Sequence, residues 1–279
     1  MTLAAIAQMS STGVIAENLA VSLKLIKQAA TAGAKMIFLP EATDFIAPSS
    51  SVGSLLQSKD ITSFVEGVQS TAKSSSIWVS VGVHEPIPQD VKRCYNTQLV
   101  IDNKGEIQAR YRKNHLFDVD IKGGITILES STTVPGQSME EPINTPLGKT
   151  GLLTCYDIRF PEASLRLRRQ GSEIITYPSA FAVKTGAAHW EVLLRSRAIE
   201  TQCYVMAAAQ VGTHAGSSRT SWGHAMVVDP FGTIIAQCSD MQPYRPTFCL
   251  ADVDLEWLKE TRRSMPLWDQ RRHDIYPEL

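Results

Sequence analysis

Apolar residues come along this chain in short dense runs, separated by stretches whose apolar positions recur at helical spacing. The run Leu3–Ser10 reads as a first strand. Leu19, Leu23, Ile26 and Ala30 follow at intervals of three and four, which predicts a helix over 16–32. Gly33 sits where that helix would end. "KMIFLPEATD" (35–44) is then a second buried strand that enters a loop at Pro40. Strand, helix and strand in this order form a β-α-β unit, which implies a right-handed crossover and parallel strands. Ligand sites in such sheets lie beyond the strand C-termini, where Glu41 sits.

The pattern continues to the end of the chain. A helix is expected over 60–73, then strands at "IWVSVGVHE" (77–85) and "YNTQLVID" (95–102). "DNKG" (102–105) is a turn signal leading into "EIQARYRKNHLF" (106–117), so this pair reads as a hairpin. A further strand delivers Cys155. Pro161 opens a short helix over 161–170, and Gly171 follows its end. "EIITYPSAF" (173–181) reads as a buried strand, 188–203 as a helix and "YVMAAAQV" (204–211) as a strand. A hairpin "HAMVVD-PFG-TIIAQC" (224–238) and a strand "TFCLADVD" (247–254) precede a last helix over 254–264. Pro266 ends that helix, and a polar tail holds Trp268, Arg271 and Arg272. Near-continuously apolar strands mixed with helices predict an α/β fold in which helices cover the sheets.

Composition narrows the function classes. Hydrophobic residues make up 43% and charged residues 20%, enough for a sizeable core and against disorder. The 27 basic and 28 acidic residues balance, which argues against non-specific binding to nucleic acid or a membrane surface. No stretch approaches the ~18 apolar residues of a membrane span. The first ten residues lack the basic flank and apolar core of a signal peptide. The five cysteines are odd in number, widely spread and form no C-x-x-C. A reducing, cytoplasmic compartment with free thiols is the expectation. A mitochondrial form from an alternative upstream start stays open.

Glu41, Lys113 and Cys155 each follow an apolar or alternating strand. If those strands are neighbours, a carboxylate, an ammonium and a thiol converge at one sheet edge. A thiol with a pKa near 8.5 is only a few per cent thiolate at neutral pH. A helix N-terminus, here the one near Pro161, and an ammonium both favour the anion. Attack on an amide creates an oxyanion that needs a fixed donor. The amine leaves only after protonation, and the same carboxylate then activates water against the thioester. The bland reading stands beside this one: a cysteine after an apolar strand is often a small buried hydrophobe. There is no G-x-S-x-G elbow, Gly-rich phosphate loop or H-E-x-x-H motif.

"FLPEATD" (38–44), "YRKNHLFDVD" (111–120) and "GLLTCYDIRFPE" (151–162) resemble, in order and spacing, the three signature blocks of the nitrilase superfamily of carbon–nitrogen hydrolases. The resemblance covers essentially the whole chain, 1–279, as one domain, with the tail at about 266–279 packing on the core or on a dimer partner. It implies a four-layer α-β-β-α sandwich, usually paired into a homodimer across a two-fold axis. It implies a catalytic Glu41, Lys113 and Cys155, no cofactor and no metal. Glu129, in "ILESST", matches a second glutamate that would orient Lys113 and the substrate. The oxyanion donors would be the Lys113 ammonium and the Tyr156 backbone N–H.

Segments 177–212 and "SWGHAMVVDPFGTIIAQC" and "MPLWDQRRHDIY" resemble the branch that holds the nitrilase half of nitrilase–Fhit fusions and deaminated-glutathione amidases. The implied reaction cleaves the amide between a 2-oxoglutarate unit and cysteinylglycine, a form of metabolite repair. Arg159, Phe181 (through its backbone) and Thr185 match substrate contacts of that branch, and a guanidinium suits a 2-oxo acid carboxylate. The other reading of Arg159 is an ion pair with Asp157 or Glu162. His115, His189 and His224 are read as holding loops, and Cys94, Cys203, Cys238 and Cys249 as packing thiols. The loop 213–221 is either a border of the substrate entrance or a plain surface turn.

Three functions are weighed. The first is an amidase acting on a 2-oxo acid amide, with the ω-amidase reaction on 2-oxoglutaramate as its close alternative. The second is a catalytically silent small-molecule-binding scaffold. The third is a metal-dependent hydrolase, for which the sequence offers no ligand set.

Overall fold

The computed structural model describes residues 1–120 and 126–276. The first part runs β1 (Thr2–Met9), α1 (Ile15–Thr31), β2 (Met36–Phe38), α2 (Ser49–Leu56), α3 (Lys59–Ser74), β3 (Trp78–Ile87), β4 (Asp90–Ile101) and β5 (Ile107–Arg112). A two-stranded ribbon, β6 (Asp118–Asp120) and β7 (Thr126–Leu128), precedes β8 (Ile143–Thr145), β9 (Gly148–Leu152), α4 (Pro161–Arg169) and β10 (Ile174–Thr176). Then come α5 (Val183–Thr201), β11 (Tyr204–Ala207), β12 (Ala209–Thr213), β13 (Thr220–Trp222), β14 (Met226–Val228), β15 (Ile234–Gln237), β16 (Thr247–Val253) and α6 (Leu255–Ser264).

Two large sheets stack between helices. One has the order β13-β12-β1-β2-β3-β4-β5, with β16 also paired to β1; the other has the order β15-β14-β11-β10-β9-β8. The period of two along β1 shows why this makes four layers. Ala5, Ala7 and Met9 pack with Leu25 and Ile26 of α1 and Phe64 and Val68 of α3. Ala4 and Ile6, on the opposite face, pack with Leu152, Ile174 and Val205 of the second sheet. That sheet is covered in turn by α5, through Trp190, Leu194 and Ala198. A strand buried on both faces reads as near-continuously apolar, as β1 does; its buried polar residue, Gln8, is hydrogen-bonded to Ser239 O and the Ala225 N–H.

Each sheet has a parallel centre. β1, β2 and β3 run parallel in the first, and β9, β10 and β11 in the second. Glu41 therefore leaves β2, and Cys155 leaves β9, at the C-terminal edges of two stacked sheets. Lys113 leaves β5, whose hairpin with β4 turns at Asp102–Gly105 as expected. Asp102 Oδ1 there accepts the Lys104 and Glu106 N–H groups, and Gly105 adopts φ 84°.

The structure departs from the periodicity in several places, and "EIITYPSAF" forms strand only at Ile174–Thr176. "YVMAAAQV" is not one strand: β11 belongs to the second sheet and β12 to the first, so the chain crosses between sheets at Ala208. A continuous apolar run cannot reveal this, because both halves are buried. α2, Ser-rich with an internal glycine, has no counterpart in the expected elements; it folds because Val52 and Leu56 are buried against the first sheet, a tertiary override of propensity. α5 starts at Val183 rather than 188, which brings Thr185 and Gly186 into its first turns. The tail is anchored where Trp268 lies 5.1 Å from the Arg168 guanidinium and 4.6 Å from that of Arg271. Residues 277–279 of the tail lie outside the described residues.

Candidate active site

Cys155 opens a 3₁₀ turn, Cys155–Arg159, directly after β9, with φ 49°. A left-handed conformation costs a non-glycine residue about 1–3 kcal/mol, so the surroundings must impose it. They do so through a capping box. Asp157 Oδ2 accepts the Thr154 N–H at 2.9 Å, and the Thr154 side chain accepts the Asp157 N–H. Asp157 is fully buried and also accepts from Tyr111 OH at 2.7 Å, while its Oδ1 lies 2.7 Å from His115 Nδ1. One carboxylate thus ties the nucleophile turn to the Lys113 strand and its following loop. The helix end at the sulfur is this 3₁₀ turn rather than the helix that opens at Pro161. Tyr156 N–H lies in its first turn, where backbone donors have no acceptor within the helix.

Lys113 and Glu41 are buried, and their side chains meet. Lys113 Nζ is 2.9 Å from Glu41 Oε1 and 2.8 Å from Glu129 Oε2. Asn96 Nδ2 donates to Glu41 Oε1 at 2.7 Å and to Glu129 Oε1 at 3.1 Å. The Ala180 N–H donates to Glu41 Oε2 at 2.9 Å, and Phe117 N–H to Glu129 Oε2 at 2.7 Å. Register explains the Asn96 placement. His84 pairs with Asn96 across β3 and β4, and Lys113 N–H donates to Asn96 O, so the three form one cross-strand row. Asn96 is absent from the sequence reading. Its only signal was the polar run Asn96-Thr97-Gln98 ahead of the apolar end of a strand, costly when buried unless it is hydrogen-bonded.

Burial and charge set the protonation of this group. Burial alone would raise the Glu41 carboxyl. The charges of Lys113 and then Arg219, with hydrogen bonds from Lys113 and Cys155, outweigh it and hold Glu41 at about 2. Burial pushes the Cys155 thiol up, and the Glu41 charge adds to it; Lys113 opposes both, leaving the thiol at about 12. Burial would lower Lys113, but Glu129 and then Glu41 drive it well above its ordinary value. The resting site is therefore a carboxylate, an ammonium and a neutral thiol.

These groups line a cavity of about 430 Å³, together with Phe181, Thr185 and Tyr156. Arg159 is not among the described residues lining it. Arg159 stands behind the wall, 5.7 Å from the ring centres of Tyr156 and Phe181, with Nη2 3.1 Å from His189 Nδ1. Asp157, its expected alternative partner, is taken up by Thr154, Tyr111 and His115. His115 and His189 thus hold loops as read, and His224 does so through the Trp222 carbonyl at 3.2 Å. The loop 213–221 does border the cavity, because Arg219 lines it. His84, fixed by the buried Asp44 at 2.8 Å, lines it too.

The family model for carbon–nitrogen hydrolase matches residues 3–263. The chain belongs to the carbon–nitrogen hydrolase family. It is 50% identical to a probable hydrolase, nit2, of Schizosaccharomyces pombe over 280 residues, which covers 100% of both chains. It is 46% identical to the deaminated glutathione amidase of Homo sapiens, over 100% of this chain and 85% of that one. The crystal structure of the C. elegans NitFhit protein superposes with a TM-score of 0.92 at 41% identity, over 99% of this chain and 66% of that one. This carbon–nitrogen hydrolase accordingly has the nitrilase-type α-β-β-α sandwich and is a hydrolase acting on amide C–N bonds.

In this carbon–nitrogen hydrolase a glycine controls where Glu41 sits. A Cβ on Gly82 would lie 2.6 Å from Pro40 O and 2.7 Å from Glu41 Cα, both backbone atoms. Gly82→Ala is expected to displace Glu41 and lower kcat/KM by about tenfold to a hundredfold. Stability should fall by about 1–3 kcal/mol. Amidase assays beside thermal melts check this; a fully active variant would show that Glu41 tolerates movement.

Proposed function

We propose that this protein hydrolyses deaminated glutathione to 2-oxoglutarate and cysteinylglycine through a thioester on Cys155. The observation that carries the reading is the meeting of Glu41, Lys113 and Cys155 at one cavity wall. With the carboxyl at about 2 and the thiol at about 12, a separate proton transfer is steeply uphill. The thiol proton therefore passes to Glu41 as sulfur attacks the amide carbon. Glu41 Oε1 is occupied by Asn96 and Lys113, and Oε2 by one backbone N–H, so Oε2 keeps an acceptor site for that proton. Lys113 Nζ meets three carboxylate oxygens, Glu41 Oε1 and both oxygens of Glu129; when one N–H is shared between the two Glu129 oxygens, another serves the oxyanion beside Tyr156 N–H. Collapse of the adduct expels the amine with the proton from Glu41. Glu41 then takes a proton from water, which attacks the thioester and frees Cys155. Glu129 orients Lys113. Phe181 and Thr185 form the side on which the 2-oxo acid lies, and Arg159 stands behind Phe181 there.

Cavity size favours the larger substrate over 2-oxoglutaramate, whose leaving group is ammonia. At about 430 Å³ it falls in the range that encloses drug-sized ligands. The name of the human relative points the same way. Side-by-side assays test this. A higher kcat/KM for deaminated glutathione is expected; a higher value for 2-oxoglutaramate makes the enzyme an ω-amidase. Binding of either compound without turnover of any amide makes it a silent scaffold.

The same reading takes residues 1–279 as one domain in a cytoplasmic homodimer. Support for the dimer comes from α5, which exposes Val192 and Ile199, the latter packed near Gly232, whose chain neighbour Phe231 is also exposed. Among the described residues no helix is long and apolar enough to cross a membrane.

A further inference from the structure

We propose that Arg219 is the anchor for the terminal carboxylate of the leaving peptide, and so selects cysteinylglycine over ammonia. The proposal rests on the deaminated-glutathione reading and deepens it. Arg219 lines the catalytic cavity from the connection between β12 and β13. Its backbone is held there: Arg219 O accepts the His214 N–H at 3.0 Å, and its own N–H donates to Ser217 Oγ at 3.1 Å. His214 is itself locked between Ser11 O and Ser221 Oγ, each at 2.8 Å. The guanidinium is aimed by one bond, from Nη2 to Ala180 O at 2.8 Å. Its Nε–H is buried and has no partner. Arg219 pairs with no carboxylate among the described residues, whereas Lys113 is committed to Glu41 and Glu129. A buried, unspent guanidinium donor is costly unless an acceptor arrives.

Its position relative to Glu41 assigns the side of the substrate. The acid that protonates a leaving nitrogen must lie beside the leaving group. Glu41 Oε2 is held by Ala180 N–H, and Arg219 is held by Ala180 O. The guanidinium is thus one residue's backbone from the oxygen that delivers the proton. An extended dipeptide spans about 7 Å, enough to set its nitrogen at Glu41 and its carboxylate near Arg219. Ammonia has no carboxylate to offer. The 2-oxo acid half, common to both substrates, lies on the Phe181 and Thr185 side.

The test compares deaminated glutathione with its C-terminal carboxamide, which has the same acyl half and a neutral leaving peptide. Both are assayed with wild type, Arg219→Gln and Arg219→Met, the last keeping the apolar stem if the amide variant folds poorly. Wild type is expected to prefer the free acid by about tenfold to a hundredfold, the range of a charge-assisted contact. Either variant should bring the two substrates within about threefold. Free cysteinylglycine should also inhibit wild type more strongly than cysteinylglycinamide. A wild type without the preference, or a variant that keeps it while both rates fall together, overturns the proposal and leaves the amidase reading intact. The common fall would then report the field of Arg219 at Glu41. A wild type that cleaves 2-oxoglutaramate but neither peptide refutes the deaminated-glutathione reading itself.

Discussion

Replacing Cys155 by alanine should remove turnover by a factor of about 10⁴ or more while leaving the protein folded. The change deletes one sulfur at a nearly buried position, so stability should move by about 1 kcal/mol and the melting temperature by a few degrees at most. Alanine inherits the same left-handed backbone, and the Thr154–Asp157 capping box that enforces it is untouched. The chemistry has nowhere else to go. Cys94, Cys203 and Cys238 are buried and do not line the cavity, Cys94 being held behind it by Thr132 O, and Cys249 lies between Ile6 and Ala225 carbonyls. Mass spectrometry of acid-quenched wild type during turnover should find an acyl adduct on Cys155. The alanine variant should carry none. Turnover by that variant within tenfold of wild type would end the thioester mechanism.

The turn around Cys155 also shows what the sequence could and could not convey. The strand that delivers it, the proline that opens α4 and the β-α-β start are local, and local patterning displays them. The three catalytic side chains come from segments far apart in sequence. Position after a strand made each a candidate, but only the resemblance to known blocks joined them. The partners that hold them in place were harder to see. Asn96 reaches Glu41 because a hairpin register places it beside Lys113, and Gln210 braces the Glu41 and Ala42 carbonyls at 3.0 and 3.2 Å from β12. β12 itself was hidden inside a run read as one strand. Arg219 sits in a small-residue loop whose composition says only that it turns. Register, sheet exchange and loop closure are tertiary facts without periodicity, so no count of apolar positions could supply them.

The second large effect is expected at Lys113. Lys113→Met keeps the stem and removes the charge that Glu41 and Glu129 share. Breaking a buried pair on one side leaves uncompensated charge and costs on the order of 3–5 kcal/mol. Activity should fall by at least about 10²–10³, the range for one lost oxyanion donor. The pH dependence identifies the cause. In wild type the folded Glu41 carboxyl lies at about 2, below the ordinary 4.5. Its contribution, about 3 kcal/mol, is therefore present above 4.5 and is lost as pH falls toward 2. Without Lys113, burial and the neighbouring Glu129 charge dominate, and the folded carboxyl moves above 4.5. The sign then reverses: the folded variant binds a proton that the unfolded chain has released, so its stability rises as pH falls from 8 to 5. Melting temperatures of both proteins across that range measure the contrast. A destabilised variant whose stability does not rise on acidification would mean that Lys113 acts through packing, and that Glu41 does not depend on it for its charge.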